Sequence, residues 1–169
     1  MLSIINQISE EIRELIKDDP VRPEIPLEQR INEHSKIYVL KDDGTGQPSA
    51  VVCVKFLPNI PESVDELLNT VNGTSTAVFY TIWSYAAGAG RSLIEQAQAA
   101  IQQEKPEVTT FVTLSPKTEM ARKFHHKNGA VTYRENADSV NYLYASPKIE
   151  SHENARANAT STACHTGGD

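Results

Sequence analysis

Residues 76–103 read TAVFYTIWSYAAGAGRSLIEQAQAAIQQ, and this stretch decides the fold. Thr76 to Ser84 is a near-continuous run of apolar, aromatic and β-branched residues, the composition of a buried strand. Ala86-Ala87-Gly88-Ala89-Gly90 follows as a small-residue turn. From Arg91 to Gln103 the residues Leu93, Ile94, Ala97, Ala100 and Ile101 mark one face of a helix. Strand, tight turn and amphipathic helix in direct succession make the building unit of an α/β domain.

The reading extends outward from there. Pro106 ends the helix, and Val108 to Leu114 forms another strand. Ser115-Pro116 then opens a second helix running to about Lys127, with the serine as an N-cap and the proline at the first helical position. Asn128-Gly129 caps its end. Val131 to Arg134 and Val140 to Ala145 are the last strands, joined by the Glu135-Asn136-Ala137-Asp138 turn. Upstream, Ile37 to Leu40 and Ala50 to Leu57 flank the turn-rich loop Lys41 to Gly46, an antiparallel hairpin. Pro61-Glu62-Ser63 opens a short helix through Leu68, and Asn72-Gly73 closes that region. Leu2, Ile5, Ile8, Ile12, Leu15 and Ile16 predict a single amphipathic helix, stopped by Asp18-Asp19-Pro20.

Size and charge narrow the function. A chain of 169 residues makes one domain plus a tail, with the domain over 1–148 and a disordered tail over 149–169. The tail reading rests on composition, which from Ser146 turns to small and polar residues that cannot offset their ordering entropy. The net charge is −6, and the densest basic cluster is Arg122, Lys123 and Lys127, too few charges for a nucleic-acid footprint. No apolar run reaches the length of a membrane span, and the first residues lack a basic leader. Cys53 and Cys164 show neither metal spacing nor a disulfide framework, which fits a reducing, cytoplasmic setting.

Four motifs carry the chemistry. The Gly88-Ala89-Gly90 turn lets a ligand approach backbone, and the unpaired N–H groups of the next helix, with Arg91 beside them, favour a pyrophosphate. The same spacing also suits a tight turn made only for close packing. Ser115 is either the helix cap described above or a hydroxyl at the C-terminal end of a central strand, where open sheets bind ligands. His125 and His126 diverge by about 100° on a helix, so one can face a site while its neighbour faces solvent. Taken singly, each reads as a surface histidine, with Met120, Ala121 and Phe124 marking the buried face. Alternation in Asn141-Tyr142-Leu143-Tyr144 puts the tyrosines together on one face, as ligand donors or as packing.

Taken in order, these motifs resemble the GNAT acyltransferase superfamily. Gly88-Ala89-Gly90 is similar to its Arg/Gln-x-x-Gly-x-Gly/Ala pyrophosphate pattern, with Tyr85 standing at the Arg/Gln position. Thr113-Leu114-Ser115-Pro116, Phe124-His125 with Asn128-Gly129-Ala130, and Asn141-Tyr142-x-Tyr144 further resemble the catalytic domain of malonyl-CoA decarboxylase. The resemblance, which covers roughly Thr76 to Ala145, implies an α/β (α+β) GNAT-like fold: a mixed, mostly antiparallel sheet flanked by helices, with the thioester between two splayed strands. It implies a coenzyme A thioester as substrate and no metal. It also implies Ser115 and His125 as the catalytic pair, assisted by Tyr142 or Tyr144, with Tyr85, Gly88, Ala89, Gly90 and Arg91 holding the CoA. The family's separate helical domain has no room in this length, and the path from Ser115 to His125 is shorter than in the family. Two other functions share the same turn, an N-acyltransferase and a non-catalytic acyl-CoA-binding module.

Overall fold

The structure is a computed structural model that describes residues 1–70 and 73–146. The proposed tail, Cys164 and Asn72 lie outside the described residues. Strands β1 (Leu2–Ile5), β2 (Ser35–Lys41), β3 (Pro48–Leu57), β4 (Thr76–Ser84), β5 (Thr110–Thr113), β6 (Val131–Glu135) and β7 (Val140–Tyr144) form a seven-stranded sheet in the order β1-β2-β3-β4-β5-β7-β6. Every neighbouring pair is antiparallel except β4 with β5, which is parallel. Helices α3 (Ala89–Glu104) and α4 (Glu119–Lys127) cover one face. Helices α1 (Glu10–Ile16) and α2 (Val64–Asn69), with a short turn at Leu27–Gln29, cover the other. This is the mixed α/β architecture that the motifs imply.

The two-sided cover explains the strand compositions. Along β3, Ala50, Val52, Val54 and Phe56 enter the core beneath α3, whereas Val51, Cys53 and Leu57 enter the core beneath α1 and α2. A strand buried on both faces has no polar alternation to show. Helix α3 presents Leu93, Ile94, Ala97 and Ile101 to the first core, with burial worth about 1.5–3 kcal/mol for each large aliphatic side chain.

Two expectations fail here. Residues 2–16 are not one helix: Leu2–Ile5 pairs with β2, Leu2 opposite Leu40, and α1 starts only at Glu10. Ser9 caps it, accepting from the Ile12 amide at 3.2 Å. The three-to-four spacing of Leu2 and Ile5 gives way to pairing that covers the edge of β2. Nor does α4 start at Ser115-Pro116. Ser115 exchanges both backbone hydrogen bonds with Val140 at 2.9 Å, and Thr118 serves as the N-cap instead.

Two local irregularities make the site. A bulge sets Cys53 opposite Thr81 but Val54 opposite Phe79, so Tyr80 has no partner on β3. Consequently Tyr80 and Thr81 both face the α1 side. On its other edge β4 pairs with β5 only as far as Phe79 opposite Thr113, closed by the Leu114 amide on the Phe79 carbonyl at 3.1 Å. Beyond that point β4 runs on to Ser84 while the chain at Ser115 veers to β7. The two strands splay, and a slot opens between them.

Candidate active site

The slot encloses about 630 Å³ and is lined mainly by apolar side chains. Phe79 to Ser84 of β4 form one wall and Ser115, Pro116 and α4 the other, while Pro20 and Val21 close it from the α1 side. Such a cleft with few polar groups is the usual form of a ligand site.

Gly90 borders the slot at the start of α3. Gly88 caps that helix with φ +77, a left-handed conformation that a side chain would strain. A Cβ on Gly90 would sit 3.0 Å from two ring carbons of Phe124, so glycine here lets α4 lie against α3. Among the described residues the amides of Gly90 and Arg91 have no acceptor, leaving donors directed out of the helix start. Ala89 is buried, and the Arg91 guanidinium reaches Glu95 at 3.5 Å. Tyr85 precedes this turn. Its hydroxyl donates to Asp18 at 2.8 Å and accepts from the Trp83 indole at 2.9 Å, and like Gly88, Ala89 and Arg91 it does not line the slot itself.

Ser115 and His125 both reach the slot, and both are buried. The Ser115 hydroxyl donates to Thr113 Oγ1 at 2.8 Å, and that oxygen also accepts from the Tyr142 amide at 3.0 Å. The cap reading of Ser115 is thereby replaced: its side chain serves a strand end, not a helix. His125 Nδ1 lies 2.7 Å from the Tyr144 hydroxyl. Its ring stacks on Tyr142 at 5.1 Å between centroids and meets Phe124 edge-on. Burial, aided by the neighbouring His126, pushes the imidazole pKa down to about 4, so His125 is neutral near pH 7. Burial also raises the Tyr144 phenol well above its ordinary value. A phenol that keeps its proton and donates it to Nδ1 leaves the Nε2–H for the slot.

Thus Ser115 and His125 line the cavity, whereas Tyr142 and Tyr144 stand behind the histidine and fix its ring. The surface reading of His125 fails, because α4 turns it inward. His126 is exposed, with Nε2 2.8 Å from Thr132 Oγ1. Met120, expected on the buried face, is 81% exposed, at the slot rim. No group of three or more His, Cys, Asp or Glu is placed to hold a metal among the described residues.

A second polar cluster went unread in the sequence. Asp19 Oδ2 accepts from Arg30 Nη1 at 2.7 Å, with both side chains fully buried. Asp19 Oδ1 accepts from the amides of Val21 and Arg22 and from the Thr81 hydroxyl. Arg30 also donates to the carbonyls of Ile25 and Arg22. The Cys53 thiol, pushed up to about 11 by burial, is protonated beside it. This network clamps residues 19–30 to the sheet and so places Pro20 and Val21 on the slot. Its only trace in the sequence is the Asp18-Asp19-Pro20 stop; Asp19 meets Thr81 across 62 residues, which no local pattern encodes.

Similarity to known proteins places the chain in a family and identifies its fold. The model of the malonyl-CoA decarboxylase C-terminal domain matches residues 40–161. The chain belongs to that family. Crystal structures of malonyl-CoA decarboxylase from Rhodopseudomonas palustris and Agrobacterium vitis are similar, with TM-scores of 0.71 and 0.72 and identities of 20% and 19%. In both cases 92% of this chain is covered, and it spans only 62% of the decarboxylase. PaiA N-acetyltransferase from Thermoplasma acidophilum, solved in complex with coenzyme A, shares the fold with TM-score 0.56 and 11% identity, covering 86% of this chain and 99% of that one. The fold is therefore that of the GNAT acyltransferases. No curated protein matches the chain. Among the described residues, no helix is long and apolar enough to cross a membrane.

Proposed function

We propose that this protein is a lyase that converts malonyl-CoA to acetyl-CoA and CO₂ in the cytoplasm, acting on a coenzyme A thioester without a metal. The observation that carries the reading is the meeting of Ser115 and His125 in one apolar slot at the start of α3. The pyrophosphate rests on the free amides of Gly90 and Arg91, with Gly88 and Ala89 shaping the turn, and the thioester enters between β4 and β5. Tyr85, half-exposed ahead of the turn with its hydroxyl on Asp18 and Trp83, flanks the CoA.

The chemistry follows from the environment. A malonyl carboxylate loses its hydration on entering the slot and sheds that charge as CO₂. The electrons of the breaking C–C bond pass to the thioester as an enolate. The Thr113 and Ser115 hydroxyls can exchange roles, since Thr113 Oγ1 keeps the Tyr142 amide and can donate its own proton to Ser115. The Ser115 proton then turns to the enolate oxygen, and a fixed donor of this kind is worth about 3–4 kcal/mol. While the carboxylate sits against His125 it favours the imidazolium. That proton ends on carbon, His125 returns neutral, and each turnover takes up one proton from solvent.

An N-acyltransferase needs a base that is poised near the working pH. Before substrate binds, burial holds the His125 pKa below that range, which favours the decarboxylase over the acyltransferase. Product analysis by mass spectrometry tests the reading: purified protein is mixed with malonyl-CoA, or with acetyl-CoA plus amines. Acetyl-CoA formed from malonyl-CoA, and lost in Ser115→Ala, is the expected result. Acylated amine, or binding without turnover, would replace this reading with the acyltransferase or the binding module.

A further inference from the structure

One buried charge has no task in this scheme. Arg22 follows Pro20 and Val21, both on the slot wall, and its side chain is buried. Its Nη2 donates to the Leu114 carbonyl at 3.0 Å, directly before Ser115, and its buried Nε has no partner. Asp19 reaches it only as a field, because that carboxylate's oxygens are committed to Arg30, Thr81 and two backbone amides. Cys53 and Tyr80 are held protonated by burial and add no negative charge. The exposed Glu24 contributes only a field from the solvent side. Asp19 and Arg30 cancel, so the cluster carries one excess positive charge beside the slot of an acidic protein.

An arginine does not escape burial by deprotonating. An unpaired buried cation is costly to keep, and it draws an anion into reach when one is available. We propose that Arg22 makes the slot select acyl groups that end in a carboxylate, acting as a specificity residue through its field and through the Leu114–Ser115 strand end. This rests on the reading of the slot as an acyl-CoA site.

The test compares malonyl-CoA with acetoacetyl-CoA, which replaces the carboxylate by a neutral methyl ketone of similar shape. Trp83, the one tryptophan of the chain, lies on the slot wall and reports binding by stopped-flow fluorescence before turnover. The intact protein is expected to prefer malonyl-CoA by roughly ten- to a hundredfold, the range of a charge-assisted contact. In Arg22→Gln, which keeps a donor for Leu114, the preference falls to parity while acetoacetyl-CoA binds as before. Arg22→Lys, which keeps the charge, retains most of the preference and carries the test if the glutamine variant does not fold. A preference that survives in Arg22→Gln, or is lost in Arg22→Lys, overturns the proposal, as does an equal fall for both thioesters. If the intact protein prefers malonyl-CoA without releasing CO₂, the decarboxylase reading falls and Arg22 stands. If it binds both equally, Arg22 falls and the acyl-CoA site stands; if it binds neither, both fall.

Discussion

The sheet carries a buried polar cluster on each face, and the two are built in opposite ways. On the α1 side, both oxygens of Asp19 are taken by partners within the fold, so the Asp19–Arg30 pair is closed. On the α4 side, His125 spends one ring nitrogen on Tyr144, and the other has no partner among the described residues. A closed network holds a fold together, while one left open at a cavity is available to a substrate. The contrast points to stability for the Asp19–Arg30 pair and leaves His125 the group free to meet a substrate.

The strongest way to break that contrast is Asp19→Ala. It leaves Arg30 as a buried cation without its partner and is expected to cost about 3–5 kcal/mol, read by chemical denaturation. A loss under 1 kcal/mol would mean that the clamp is not structural. Next comes acid. His125 has a lowered folded pKa of about 4 against an ordinary 6.5, so the unfolded chain binds its proton first as pH falls. Its contribution is complete above pH 6.5 and is lost between 6.5 and 4, in all about 3 kcal/mol. Unfolding followed across that window should show the slope, and His125→Gln should remove it. A slope unchanged by His125→Gln would put its origin elsewhere.

Smaller effects sharpen the picture. Gly90→Ala places a Cβ 3.0 Å from the Phe124 ring and should cost about 1–3 kcal/mol by thermal denaturation, with weaker CoA binding. Tyr144→Phe removes the partner of Nδ1 and should cost about 1 kcal/mol of stability while lowering turnover more than affinity. If affinity alone changed, Tyr144 would not be orienting the histidine.

Much of the frame was legible. The strand, turn and helix at 76–103 and the hairpin of β2 and β3 could be read because each is local, with periodicity confined to one element. Ser115 and His125, which line one slot, were paired only through resemblance, since each residue alone suggested a cap or a surface position. What could not be read depends on distant partners. Leu2 pairs with Leu40 and Ser115 with Val140, and the Asp19–Arg30 clamp closes on Thr81. Those contacts are settled by tertiary packing, which overrides local pattern.

The most direct measurement is single-turnover decarboxylation of malonyl-CoA by the intact protein and by His125→Ala, with folding of both confirmed by thermal melts. The account predicts CO₂ and acetyl-CoA from the intact protein, and a rate about 10²–10⁴-fold lower in the variant. No CO₂ from the folded protein, or an equal rate in His125→Ala, would contradict it.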